Sequence, residues 1–209
     1  MSSKPNVFVV DDDQAMRNSL KWLIESVGMG VETFSTADEF IRSYYPGRAG
    51  CLLLDVRMPG MSGLELQEHF IKHQINIPII IITGHGDVPM AVRAMKAGAV
   101  DFIEKPFNDE LLLESIRNAL NLDVEQRALQ AERAEIATRL ANLTPREHEV
   151  MEMVTEGRAN KEIAQTLGVS AKTVEAHRSR VMEKMQADSL ADLVKMAVAA
   201  NIERGRNEA

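Results

Sequence analysis

Four places in the sequence put groups capable of phosphoryl chemistry directly after apolar runs. Asp11, Asp12 and Asp13 follow "VFVV" (7–10), and Asp55 ends "CLLLD" (51–55). Thr83 closes "IPIIIIT" (77–83), and "VDFIE" (100–104) leads into Lys105 and Pro106. An apolar run of this length reads as a strand buried on both faces. If the four strands are neighbours, three carboxylates, a hydroxyl and an ammonium converge on one rim. Carboxylates so placed repel one another unless a cation joins them, and hard oxygen ligands with room for water suit Mg²⁺. A divalent ion and a lysine would together stabilise an incoming phosphoryl group, whose transfer needs mostly positioning and charge neutralisation. Taken singly, an Asp after a strand is a turn former and a Lys there is solvated. Their joint placement carries the reading.

The elements that must hold these groups alternate through the first 120 or so residues. Leu20, Leu23, Ile24 and Val27 recur at helical spacing after the first strand, and "GVETF" (30–34) forms the second. A short helix passes through Phe40 and Ile41, and Ser62 caps the helix that follows "CLLLD". "DVPMAVRAMKAGA" (87–99) and "FNDELLLESIRNAL" (107–120) complete five βα units. That alternation predicts a parallel sheet covered by helices on both faces, with ligands bound beyond the carboxyl ends of its strands.

The length of 209 residues suits two ordinary domains or one large one. No apolar run approaches the roughly 20 residues of a membrane span, and the N-terminus reaches carboxylates too early for a signal peptide. Cys51 is the single cysteine and lies inside a strand, so no disulfide framework exists and a reduced cytoplasm fits. A formal charge of −7 speaks against a generic nucleic-acid coat, yet the charge is uneven. Between 158 and 184, Arg158, Lys161, Lys172, Arg178, Arg180 and Lys184 outnumber Glu162, Glu175 and Glu183.

From 121 to 142 the chain is polar and lacks Gly and Pro. Leu122, Leu129, Ile136 and Leu143 fall seven apart, with Leu140 between the last two. A solvated linker helix and a short dimeric coiled coil both fit, although Gln126 and Arg133 fill the second seam poorly. "LTPREHEV" then opens a new unit with a capping box, Thr144 to Glu147, and Pro145 at the first helical position. Three helices follow, at roughly 160–167, 171–185 and 189–200. Ile163, Ala164, Leu167, Val169 and Val174 are spaced to pack the first two together around a Gly168 turn. A helix-turn-helix lays its second helix in the major groove, where long cations contact phosphates.

"VVDDD", "LLLDVRMPGMSG" and "IIITGHGDVPMAVRAMKAGAVDFIEKPF" resemble the receiver domain of two-component response regulators, particularly the FixJ class. The string from "LTPREHEV" to "SLADLVKMA" is similar to the LuxR/NarL-type effector domain. The resemblance implies a flavodoxin-like α/β receiver over 1–122, a helical linker over 123–142 and a small all-α helix-turn-helix domain over 143–209. It implies Asp55 as phosphoacceptor, with Asp11, Asp12, Asp55 and the Arg57 carbonyl around Mg²⁺ (or Mn²⁺). Thr83 and Lys105 would meet the phosphoryl group, Phe102 would turn inward with Thr83, and the bond to Pro106 would be cis. Asp13 would open the first helix.

In the effector, the resemblance implies Glu175, Ala176 and Ser179 facing the groove. Lys161, Lys172, Thr173, His177, Arg178 and Arg180 would lie nearer the DNA backbone. Glu175 stands where many relatives carry Lys, so it would accept from a cytosine amino group or orient an arginine. The implied partners are a sensor histidine kinase, promoter DNA, a second copy of the chain on phosphorylation and RNA polymerase, with no membrane and a cytoplasmic location. The protein would be a transcription regulator and not an enzyme, apart from its own phosphoryl transfer and dephosphorylation. The alternative is a haloacid-dehalogenase-like phosphohydrolase using the Asp11-x-Asp13 spacing. The lack of a cap-like insertion and the helix-turn-helix tail set it aside. A receiver that works unphosphorylated is opposed by the intact carboxylate set.

Overall fold

A computed structural model describes residues 5–84 and 86–207. The chain divides between Arg127 and Ala128 into two compact units. Among the described residues no helix is long and apolar enough to cross a membrane.

The first unit is a parallel five-stranded sheet in the order β2-β1-β3-β4-β5. Its strands are β1 (Asn6–Val10), β2 (Gly30–Phe34), β3 (Gly50–Asp55), β4 (Ile79–Thr83) and β5 (Asp101–Glu104). The helices are α1 (Gln14–Ser26), α2 (Ala37–Ser43), α3 (Gly63–Lys72), α4 (Val88–Lys96) and α5 (Asp109–Ala141). Successive strand side chains point to opposite faces. Leu52, Leu54, Ile79 and Ile81 therefore meet Phe40, Leu66, Phe70 and Ala94 of α2, α3 and α4. Cys51, Leu53, Ile80 and Ile82 meet Leu20 and Ile24 of α1 and Leu112 and Ile116 of α5. Burial on both faces is why β3 and β4 are apolar without alternation.

The strand order makes β1, β3, β4 and β5 consecutive neighbours. Val10 pairs with Leu54, Asp55 with Ile82, and Thr83 with Glu104. The residues just beyond these pairs must share one rim. Two local expectations change. Val27 caps α1 rather than joining its apolar face and is 40% exposed, because the backbone turns through Gly28 at φ 77°. The helix expected over 123–142 is continuous with the last receiver helix, since α5 runs unbroken from Asp109 to Ala141.

Asp123 explains why the first unit continues to Arg127. It is 1% exposed, accepts the Gly50 N–H at 2.9 Å and receives Arg127 Nε at 2.8 Å on each oxygen. Arg127 also donates to the carbonyls of Pro46 and Arg48. The expected linker thus starts with residues that hold the loop entering β3.

The second unit packs the end of α5 with α6 (Pro145–Thr155), α7 (Asn160–Leu167), α8 (Ala171–Met185) and α9 (Leu190–Asn207). Its core joins Ile136, Val150, Val154, Ile163, Val174, Val181, Met185 and Leu193, with Leu140, Leu143, Leu167 and Val169 against it. The seven-residue series is therefore divided: Ile136, Leu140 and Leu143 serve this core, while Leu129 is exposed. Gly168 ends α7 at φ 67°, a conformation that costs a residue with a Cβ. Glu208 and Ala209, the end of the expected 143–209 domain, lie outside the described residues.

Candidate functional site

Asp11 follows β1 directly and Asp55 is the last residue of β3, so the Val10–Leu54 register sets their carboxylates side by side. They are 1% and 6% exposed. Lys105 reaches both, with its Nζ 2.7 Å from Asp11 Oδ2 and 2.8 Å from Asp55 Oδ1. The remaining oxygens are also engaged. Asp55 Oδ2 accepts the Arg57 N–H at 2.7 Å, and Asp11 Oδ1 accepts the Asp13 N–H at 2.8 Å. Burial pushes the Asp55 carboxyl above its usual range, with Asp11 adding to the rise and Lys105 opposing it. Burial alone would lower the Lys105 ammonium, but its hydrogen bonds to Asp11 and Asp55 outweigh that and raise it.

The triplet divides as its geometry requires. Asp12 is exposed beside the cluster. Asp13 caps α1 by accepting from Ala15 N at 2.8 Å and Met16 N at 3.4 Å, where a carboxylate suits the helix dipole. Thr83, at the end of β4, is buried. Phe102 is half-buried against the α2–α3–α4 side of the core. The Lys105–Pro106 peptide bond is cis. Sequence reasoning passed over Arg17, whose Nη1 donates to the Asp11 carbonyl at 2.7 Å and fixes that turn. It also passed over Gly63, where a Cβ would stand 2.2 Å from the Asp55 carbonyl oxygen. A glycine opening a helix beneath a candidate carboxylate was the available signal.

Two buried carboxylates against one ammonium leave this rim with excess negative charge. Its donors are hard oxygens, and Mg²⁺ needs only one or two carboxylates plus carbonyl and water oxygens. The residues therefore fit such an ion. Among the described residues no three His, Cys, Asp or Glu side chains are already grouped around a metal position.

In the second unit, Ser170 caps α8 by accepting the Thr173 N–H at 3.1 Å, and its hydroxyl shares a 2.8 Å bond with Thr173 Oγ1. Val174, Val181 and Met185 turn inward. Lys172, Thr173, Glu175, Ala176, Ser179 and Arg180 are exposed, as is Lys161 on α7. Two expected backbone contacts sit deeper. Arg178 is half-buried, and its Nη1 donates to Asn160 Oδ1 at 2.8 Å, tying α8 to the start of α7. His177 is half-buried, with a buried Nδ1 that has no hydrogen-bond partner among the described residues. Lys184 is occupied by Glu147 at 2.6 Å and by the Asn142 carbonyl at 3.2 Å.

Comparison with known proteins agrees with both halves. The family model "Response regulator receiver domain" matches residues 7–117, and "Bacterial regulatory proteins, luxR family" matches residues 141–197. The chain belongs to the response regulators that carry a LuxR-type DNA-binding domain. It is 47% identical over 207 residues to nodulation protein W of Bradyrhizobium diazoefficiens, covering 99% of this chain and 91% of that protein. It is 46% identical over 203 residues to the transcriptional regulatory protein FixJ of the same organism, covering 97% and 98%. Among solved structures, the response regulator StyR is similar with a TM-score of 0.85 and 46% identity, covering 93% of this chain and 98% of that one. Full-length FixJ from B. japonicum follows with a TM-score of 0.57 and 46% identity over 96% and 98%.

The protein is thus a FixJ-like, phosphorylation-controlled transcription regulator and not a metabolic enzyme. Its two domains imply a sensor kinase and DNA as partners, and receiver domains generally bind Mg²⁺ at the phosphorylation site. The phosphohydrolase alternative is overturned by these matches. Asp13, which it required in the site, is instead the cap of α1.

Proposed function

We propose that Asp55 accepts the phosphoryl group of a kinase phosphohistidine, and that this controls dimerisation and promoter binding. The observation that supports it best is the Lys105 ammonium held between Asp11 and Asp55 at the carboxyl ends of β1 and β3. An Asp55 oxygen would attack phosphorus as the bond to the histidine nitrogen breaks, leaving an acyl phosphate. Lys105 would follow the new charge, and the Thr83 hydroxyl, at the next register step, would bind a phosphoryl oxygen. Asp11, Asp12, Asp55 and the Arg57 carbonyl would hold Mg²⁺ or Mn²⁺, which would neutralise the phosphoryl charge. Phe102 would pack inward as Thr83 moves, changing the surface formed by α4, β5 and α5. A ligand can shift a two-state equilibrium only through such differential contacts.

Two copies joined in this way would present two α8 helices to two DNA half-sites. Glu175, Ala176 and Ser179 would face base edges. Lys161, Lys172, Thr173 and Arg180 would contact phosphates, and Arg178 and His177 would support α8 from beneath. A cytoplasmic location and contact with RNA polymerase belong to the same reading. Gel filtration and DNA binding with Mg²⁺, with and without beryllofluoride, test it. A dimer and tighter DNA binding are expected with beryllofluoride, and no change in either would contradict the proposal.

A further inference from the structure

The C-terminal end of α3 carries two imidazoles that the phosphorylation site does not use, His69 in its last turn and His73 as its cap. His69 and His73 lie four residues apart, so both project from one side of the helix. Their ring centroids are 4.0 Å apart with an interplanar angle of 32°. His73 is exposed and His69 half-buried, so a hydrated ion can reach them.

The second ring is already oriented. His73 Nδ1 lies 2.8 Å from the His69 carbonyl oxygen, which can only accept a hydrogen bond. Nδ1 therefore holds the proton, and the lone pair of the neutral ring is at Nε2. A carbonyl bonded to one ring nitrogen while the other faces outward is the usual support of a metal-ligating histidine. The C-terminus of a helix, where unsatisfied carbonyls concentrate negative charge, also favours a cation.

We propose that His69 and His73 form a two-imidazole chelate for a borderline divalent cation of the Zn²⁺, Ni²⁺ or Cu²⁺ class, completed by water. Imidazole suits these ions, whereas Mg²⁺ prefers the oxygens of the phosphorylation site. The two sites are distinct in place and in metal class. This inference does not depend on Asp55 being phosphorylated.

The test is a calorimetric titration of the untagged full chain with Ni²⁺ at pH 7.5, with millimolar Mg²⁺ present to saturate the carboxylate rim. One Ni²⁺ per chain is expected. Holding the second imidazole on the same turn raises its effective concentration, so His69→Asn and His73→Asn should each weaken binding by about tenfold or more. The double variant should lose the site altogether, because each single variant still keeps one imidazole. Circular dichroism checks that α3 still folds. Asp55→Asn should leave the titration unchanged, as should His148→Asn and His177→Asn. Unaltered affinity in His69→Asn or His73→Asn would overturn the chelate, as would loss of the site in any of the three control variants. Absence of a stoichiometric site would reduce the pair to a helix cap.

Discussion

Lys105→Met removes the cation from the carboxylate rim while keeping a chain of similar length. The 2.7 and 2.8 Å bonds to Asp11 and Asp55 disappear, and two carboxylates at most 6% exposed face each other without compensation. Removing one partner of a buried pair costs about 3–5 kcal/mol. The Lys105 side chain is 16% exposed, so water screens part of this, and about 2–4 kcal/mol is the expected loss. Hydrogen exchange of the slowest β1, β3 and β4 amides at neutral pH reads that loss within the first unit. Since about 1.4 kcal/mol is tenfold, these amides should exchange about 30- to 700-fold faster. Lys105→Arg, which keeps the charge, should lose less. Added Mg²⁺ should slow exchange more in Lys105→Met than in the natural chain, because the ion then replaces the missing positive charge. Exchange within about threefold of the natural chain, or an equal Mg²⁺ effect in both, would refute the account of this rim as an electrostatic site.

Glu147 supplies the pH-dependent counterpart in the second unit. Lys184 and the Thr144 amide lower its carboxyl from the ordinary 4.5 to about 2. Its contribution to stability is therefore complete above pH 4.5 and disappears as pH falls towards 2. Urea titration read on the amide NMR signals of Thr144 and Val174 should show Glu147→Gln less stable by about 1–2 kcal/mol at pH 7, with the difference shrinking below pH 4. On DNA, Lys172→Ala and Arg180→Ala should each flatten the slope of log affinity against log salt by about one, measured by fluorescence anisotropy. Arg178→Ala should leave that slope largely unchanged and instead lower the melting temperature, since its guanidinium holds Asn160.

The apolar runs at β3 and β4 were readable because burial on both faces leaves no polar alternation. The Ser62 and Thr144 caps were readable because their glutamate partners lie three residues away, and both capping boxes form. What escaped the sequence was long-range. Asp123 and Arg127 look like solvated helix residues, yet they bind the Gly50 amide and the carbonyls of Pro46 and Arg48, more than 70 positions away. Helical spacing alone could not separate Arg178 from Arg180, because only the arrival of Asn160 beneath α8 decides which is held. At the carboxylate rim the residue types were readable singly. Their convergence followed only once the strand order made β1, β3, β4 and β5 neighbours.

Phosphoryl labelling of the natural chain and Asp55→Asn, paired with promoter binding before and after labelling, tests the central claim most directly. The account predicts one phosphoryl group per natural chain, released by base and by hydroxylamine as an acyl phosphate is, and tighter DNA binding after labelling. Asp55→Asn should take up none while keeping its basal DNA binding. Undiminished labelling of Asp55→Asn would contradict the assignment, and labelling of the natural chain without any change in DNA binding would contradict the coupling.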